Sequence, residues 1–278
     1  MYLQEYLTLE QYEEALEQEI TLVSHTITTI VDGAETTVAE ENYYSWFVDA
    51  LIEDVIVDLM ELRNLNRENA STLLFTGGFQ IYSTMDFEAQ EIVDTYYENL
   101  DNSRTYTSQQ LQSAIVITDP YSGDIIALSG GVGEKSGSRL FNRATEAQRS
   151  PGSSIKPLTA YSLAIELGYV TPDTYIEDSD LVQLEGYPNW LPRNDNRSYR
   201  GIVTISQALI SSINTVAVQL VDMVTPSYVY NFMIEKLHFT TFVEEDRDYA
   251  PLGLGAITYG VTVREMAAAF GIFPNSGI

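Results

Sequence analysis

The sequence predicts a mixed α/β fold, and three observations predict it. Two apolar runs, residues 111–118 and 124–129, flank the turn-forming Asp119-Pro-Tyr-Ser-Gly123, which is the pattern of a β-hairpin. From about Tyr44 to Leu65, Phe47, Ala50, Leu51, Val55, Leu59 and Leu62 recur at helical spacing. Further on, residues 204–210 and 215–220 read as two apolar helices separated by the polar break Ser211-Ser212-Ile213-Asn214. With 278 residues, 45% of them hydrophobic, there is enough chain for one large domain or two smaller ones.

Composition narrows the function classes. Forty acidic residues against 14 basic ones give a net charge of −26, which repels nucleic acid and anionic lipid headgroups and argues against both as partners. The acidity does not signal disorder, because 19 Tyr, 10 Phe and 2 Trp supply ample surface to bury. Without cysteine there are no disulfides, thiolate metal sites or cysteine nucleophiles. With only His25 and His238, a His-rich metal site or a Ser-His-Asp hydrolase is disfavoured. Met1-Tyr-Leu-Gln-Glu lacks the basic and apolar regions of a signal peptide. The apolar stretch 46–62 is interrupted by Asp49, Glu53, Asp54 and Asp58, so taken alone the chain reads as soluble.

Taken in order, Thr8-Leu-Glu-Gln11 has the form of a capping box, and Leu9, Tyr12, Ala15 and Leu16 extend it as a short amphipathic helix. Residues 20–40, with Asp32-Gly33 at their centre, read as a hairpin or a loose extended segment. The acidic residues of the 44–65 helix read as a solvated face rather than paired catalytic carboxylates. Residues 77–85 read as a turn and a strand, Asp86 as the cap of a helix to about Leu100, and 102–110 as a polar loop. The Gly/Ser-rich stretch 130–138 lacks the Gly-Lys-Ser/Thr ending of a phosphate loop and reads as a flexible loop. An irregular region spans about 170–200. A last helix, about 262–270, follows Leu252-Gly-Leu-Gly-Ala256.

The chemistry concentrates in Arg149-Ser-Pro-Gly-Ser153-Ser-Ile-Lys156-Pro157. Pro151-Gly152 makes a turn, Ser153 or Ser154 is a natural N-cap, and Pro157 falls in a first helical turn where its missing N–H breaks no bond. Ser153 and Lys156, three apart, then share a face at the helix start, a nucleophile beside a base if burial lowers the lysine pKa. An N-cap serine beside a solvated lysine gives the same four letters, and Ser-x-x-Lys is common by chance. The chain has only three lysines, however, and Ser212-x-Asn214 lies downstream, although those two could equally cap packed helices.

Ser-x-x-Lys followed by Ser-x-Asn is the ordered pair of the penicillin-recognising serine acyltransferases. The chain resembles, more specifically, the transpeptidase domain of class A (bifunctional) penicillin-binding proteins. Residues 77–86 resemble that family's opening strand, 114–131 its first hairpin, and Phe141-Asn-Arg-Ala144 through Pro157 its nucleophile region. Tyr199-Arg-Gly201 through Leu220, and 252–277, also follow its order. The resemblance implies a connector over 1–76, following a glycosyltransferase domain absent here, and an incomplete transpeptidase domain over 77–278. It implies an antiparallel sheet flanked by helices, with a separate all-helical lobe. Ser153 would be the nucleophile toward the penultimate D-alanine of a peptidoglycan stem peptide and Lys156 the base for acylation. Ser212 would relay a proton to the leaving group, and Asn214 would hold the substrate amide. β-Lactam antibiotics would acylate Ser153 in the same way. No metal or organic cofactor is implied, and the parent chain would be membrane-anchored on the extracytoplasmic face of a bacterial cell.

The departure is the family's third motif, Lys-Thr/Ser-Gly, which belongs on a strand after Ser-x-Asn. Lys236 is followed by Leu237-His238, and Lys135-Ser136-Gly137 precedes the nucleophile in a loop. The chain therefore reads as truncated before that strand. Two alternatives follow: a non-catalytic binding or scaffold module of the same fold, or a serine β-lactamase, for which no deacylating motif such as Glu-x-x-Leu-Asn is found. Tyr187, Trp190 and Tyr199 lie near the expected cleft and read as local packing.

Overall fold

The computed structural model describes residues 26–31, 34–39, 43–100, 111–184 and 190–277. The capping box at 8–11, the Asp32-Gly33 turn, the 102–110 loop and Tyr187 lie outside them. The chain divides into two compact units at Tyr43/Tyr44. In the first, β1 (Thr26–Val31) pairs antiparallel with β2 (Ala34–Ala39), from Thr26 opposite Ala39 to Val31 opposite Ala34, so the hairpin reading of this stretch holds.

The second unit opens with α1 (Trp46–Arg63). The Ser45 hydroxyl caps it by accepting from Val48 N–H, and Asn64 ends it in a left-handed conformation. α2 (Arg67–Thr76) follows, and Ile52, Ile56, Leu59, Ala70 and Leu74 form the seam between the two helices. The solvated-face reading holds for Asp54, Asp58 and Glu61, which are exposed, and fails at one position. Asp49 is not on a solvated face: it is 2% exposed, and its carboxylate takes Lys135 Nζ and the Arg139 backbone N–H. Glu53 and Asp54 are likewise paired, with Arg67 and Arg139 and with Arg264. A helical face can be acidic because other elements bring cations to it, and helix periodicity cannot show that.

The turn expected at 77–78 forms, but the strand expected after it does not: residues 79–86 join no ladder among the described residues. They are tied to the sheet by Thr84 Oγ1 and Asp86 N–H, which donate to the carbonyls of Ile125 and Ile126. Asp86 caps α3 (Phe87–Glu98) through Ala89 N–H. The hairpin forms where the turn residues place it, as β3 (Ile115–Thr118) and β4 (Ile125–Ser129), antiparallel with a register shift between Ile117 and Thr118. Alternation gives this pair two apolar faces. Val116 and Leu128 pack on Trp46, Phe47 and Ala50 of α1, while Ile115, Ile117 and Ala127 pack on Val93 and Tyr97 of α3. The pair is therefore flanked by helices on both faces. The loop after β4 is packed against its neighbours: a Cβ at Gly130 would lie 2.3 Å from Asn142 Oδ1 and 2.8 Å from the Trp46 ring.

The helical lobe holds the largest core. After the nucleophile segment come α4 (Ser162–Glu166), a strand pair that the irregular reading of 170–200 missed, and five further helices. The pair is β5 (Tyr175–Asp178) with β6 (Gly201–Thr204), four residues each and too short and too polar to show an alternation. The helices are α5 (Ile205–Ile210), α6 (Asn214–Val224), α7 (Pro226–Glu235), α8 (Tyr249–Leu254) and α9 (Val263–Phe270). α6 is the axis: Thr215, Val216, Ala217, Val218, Leu220, Val221 and Val224 are all buried, so it is covered on nearly every side. α9 starts where the sequence places it, with Thr262 and Glu265 forming a capping box.

Candidate active site

The segment that carries Ser153 and Lys156 folds in three consecutive turns. Gly152–Ile155 is a 3-10 turn, Pro157–Tyr161 a π turn, and α4 continues it. The N-cap expectation fails. Ser153 sits inside the 3-10 turn, Pro151 precedes it without a side-chain cap, and the Ser154 hydroxyl donates to the Pro151 carbonyl at 2.7 Å. Pro157 does stand first in its turn, where no N–H is needed. Ser153 is exposed, while Lys156 is 1% exposed and fully within the core.

Two glycines hold this segment from behind. Gly255 (φ +74°) lies so close that a Cβ there would be 2.0 Å from the Gly152 carbonyl oxygen, and a Cβ at Gly260 (φ +86°) would strike the Arg149 backbone at 2.3 Å. The contact is bonded: Arg149 and Val261 exchange backbone hydrogen bonds at 3.0 and 2.9 Å, and Ser150 Oγ donates to Gly255 O at 2.5 Å. The glycine-rich run 252–260 thus seats the nucleophile turn, a role that composition alone does not reveal.

Ser212 arrives by a different device. Its N–H bonds to Leu209 O and the Ile213 N–H to Ala208 O, the paired bonds of a Schellman C-terminus on α5. Ser212 occupies the left-handed position (φ +52°) that such an ending usually gives to glycine. The chain reverses there, and both the carbonyl and the hydroxyl of Ser212 meet Lys156. Lys156 Nζ donates to Ser212 O at 2.8 Å, to Ser212 Oγ at 3.1 Å and to Asn214 Oδ1 at 2.6 Å. Three acceptors match the three N–H bonds of an ammonium. Burial pulls the Lys156 pKa down from 10.5 to about 8, so the neutral amine is accessible near physiological pH. Asn214 Nδ2 gives one of its hydrogens to Arg193 O at 2.9 Å and keeps a second.

Ser153, Ser212 and Asn214 line one cleft of about 430 Å³, and Lys156 is bonded to two of them, so the two motifs, some 60 residues apart in sequence, meet in space. Among the described residues no hydrogen bond engages the Ser153 hydroxyl. The Lys135-Ser136-Gly137 triplet is elsewhere: Lys135 binds Asp49 and the Tyr44 carbonyl and stands 4.9 Å from the Trp46 ring centroid. Trp190 stacks on Tyr249 at 6.5 Å as core packing, and Tyr199 lines a separate, smaller pocket. The sequence reading missed Asn194, Asp178 and Arg200, which share the cleft wall. Only their place in an Asn/Asp-rich irregular stretch hinted at them, because what fixes each is a partner some 20 residues away.

The architecture around this cleft is that of transpeptidases. The solved structure of the PonA1 protein from Mycobacterium tuberculosis in complex with penicillin V covers 81% of this chain with a TM-score of 0.57 at 25% identity, the match taking up 58% of that chain. In sequence, the penicillin binding protein transpeptidase domain matches residues 113–278, and the chain belongs to that family. Penicillin-binding protein 1A of Clostridium acetobutylicum is 34% identical over 250 residues, which is 84% of this chain and 30% of its own length. The protein of the same name from Clostridium botulinum is 35% identical over 250 residues, 84% of this chain and 29% of its own. The chain thus spans about 30% of the length of these curated relatives, and the class A affinity expected from its motifs holds.

Proposed function

We propose that this chain carries the acylation centre of a serine-type D,D-transpeptidase that cross-links peptidoglycan stem peptides and is acylated by β-lactams. The observation that carries the reading is the buried Lys156 amine, bound to both Ser212 and Asn214, which share their cleft with the exposed Ser153. Neutral Lys156 takes the Ser153 proton as Oγ attacks the carbonyl of the penultimate D-alanine. Ser212, in contact with the protonated amine, passes a proton to the departing D-alanine nitrogen, and Asn214 holds the peptide amide with its spare N–H. An amine of a neighbouring stem then releases the acyl group and forms the cross-link.

Residues 1–76 serve as the connector and 77–278 as the transpeptidase portion of a parent protein anchored at the outer face of the cell membrane. Among the described residues no helix is long and apolar enough to cross a membrane. A second reading is a binding module of the same fold that keeps this cleft without turnover. Intact mass after incubation with a penicillin separates the two. We expect one covalent adduct on the wild type and none on Ser153→Ala; a folded wild type without adduct supports the binding module.

A further inference from the structure

Beneath the site lies a buried polar network that the acylation chemistry above does not use. The first N–H groups of α6 need acceptors, and Ile213, which precedes them, offers no side chain to cap them. Asn194 supplies the acceptor from the irregular segment: its Oδ1 takes Asn214 N–H at 2.9 Å and Thr215 N–H at 3.4 Å. Its Nδ2 donates to Asp178 Oδ1 at 2.7 Å and to Ser198 O at 3.0 Å. Asp178, at the end of β5 and 1% exposed, also accepts from Thr215 Oγ1 at 2.7 Å and from Arg200 N–H at 2.9 Å.

Chemistry leaves these groups one orientation. An ionised carboxylate only accepts and a backbone N–H only donates, so Asn194 must turn its NH₂ to Asp178 and its oxygen to α6. The bonds then run one way: Lys156 Nζ to Asn214 Oδ1, Asn214 N to Asn194 Oδ1, and Asn194 Nδ2 to Asp178 Oδ1. At Asn214 the side-chain oxygen and the backbone N–H are separated by saturated carbons, so what the series of bonds transmits is position rather than polarisation. Asn194 also shares the cleft wall with Ser153 and Asn214, so it is bonded to the site itself rather than to a remote helix.

We propose that Asn194, oriented by Asp178, is a positioning residue for acyl transfer: it fixes Asn214 and the start of α6 against Lys156. The proposal rests on the transpeptidase reading for its consequence in rate, and on geometry alone for its effect on Lys156. Exchange of the two residues tests it. Asn194→Asp sets two carboxylates against each other, and Asp178→Asn leaves a single acceptor oxygen for two donors, Asn194 Nδ2 and Arg200 N–H. Together they restore a donor facing an acceptor at that contact, with the carboxylate moved to position 194, where it still accepts from α6 but no longer donates to Ser198 O.

Each single variant is expected to slow penicillin acylation roughly ten- to a hundred-fold, the scale of a misplacement of about 1 Å, and the double variant to recover most of it. Only three lysines are present, so ¹³C-lysine labelling gives a readout independent of turnover. The Lys156 signal should move in each single variant and return toward wild type in the double, with Lys135 and Lys236 unmoved. If either single variant unfolds, Asn194→Ser, neutral and shorter, takes its place and should move the Lys156 signal. Folded variants with a wild-type Lys156 signal overturn the proposal. A wild type that is never acylated while the lysine signals behave as expected overturns the transpeptidase reading and leaves the positioning intact.

Discussion

Ser212 puts backbone strain and a proposed proton relay at the same position. A non-glycine residue in the left-handed region costs about 1 kcal/mol relative to glycine, and here a serine is held there with its hydroxyl on Lys156. Ser212→Gly should therefore relieve about 1 kcal/mol of backbone strain while leaving one N–H of the buried Lys156 without its acceptor, so stability should change little in a denaturant titration while penicillin acylation slows. A variant that loses both would mean the Ser212 hydroxyl holds the fold rather than serving the reaction. Lys156 makes a matching statement in pH. Its folded pKa of about 8 lies below the ordinary 10.5, so between those values the unfolded chain binds the proton that the folded chain has released. Stability should accordingly rise with pH across that window, by about 3 kcal/mol at most, and the cost of burying the ammonium is complete below pH 8. Unfolding free energies of wild type and Lys156→Met from pH 7 to 10.5 check this, because the rise should be missing from the variant. The acylation rate should climb with the neutral amine and level off above about pH 8.

Among the elements, the seat of the nucleophile turn is the least tolerant. Gly168 and Gly255 share a φ of +74°, but a Cβ at Gly168 meets nothing within 4 Å and one at Gly255 meets the Gly152 carbonyl at 2.0 Å. Gly168→Ala should cost about 1 kcal/mol from backbone conformation alone. Gly255→Ala must in addition push the 3-10 turn that bears Ser153, so it should lower stability further and slow acylation where Gly168→Ala does not. Melting curves and adduct formation on both variants make the comparison. The same contrast explains what the sequence could show. The 115–129 hairpin, α1, α3 and α9 announce themselves through turn chemistry, caps and periodicity, all local signals. The proposed site residues Ser153, Lys156, Ser212 and Asn214 could be named because their motifs are local too, and Lys156 does meet Ser212 and Asn214 in space. What stayed hidden depends on distant partners: β5 and β6 find each other across 22 residues, Asn194 caps a helix it does not belong to, and Asp49 is buried only because Lys135 and Arg139 arrive to meet it.

Across the whole molecule, charge sets the terms on which a ligand approaches. A net −26 creates a repulsive field for any anion, and penicillins carry a carboxylate. Close to the cleft the field is mixed: Arg200 lines it with its guanidinium on Ser211 Oγ at 2.7 Å, while Asp195 lines it with the opposite sign. Salt distinguishes the distant charges from the near ones. With a screening length of about 10 Å at 0.1 M, added salt removes repulsion from the remote surface first and leaves contacts inside the cleft largely intact. The second-order rate of acylation by an anionic penicillin should therefore increase several-fold between about 0.01 and 0.15 M salt. A penicillin that also carries an amine, and so has no net charge, should respond much less. Rates that fall with salt for the anionic compound would mean that Arg200 governs the encounter, and Arg200→Gln should then abolish the salt dependence. The expected rise instead assigns the barrier to the protein's surface as a whole, a property of 40 acidic residues rather than of any one of them.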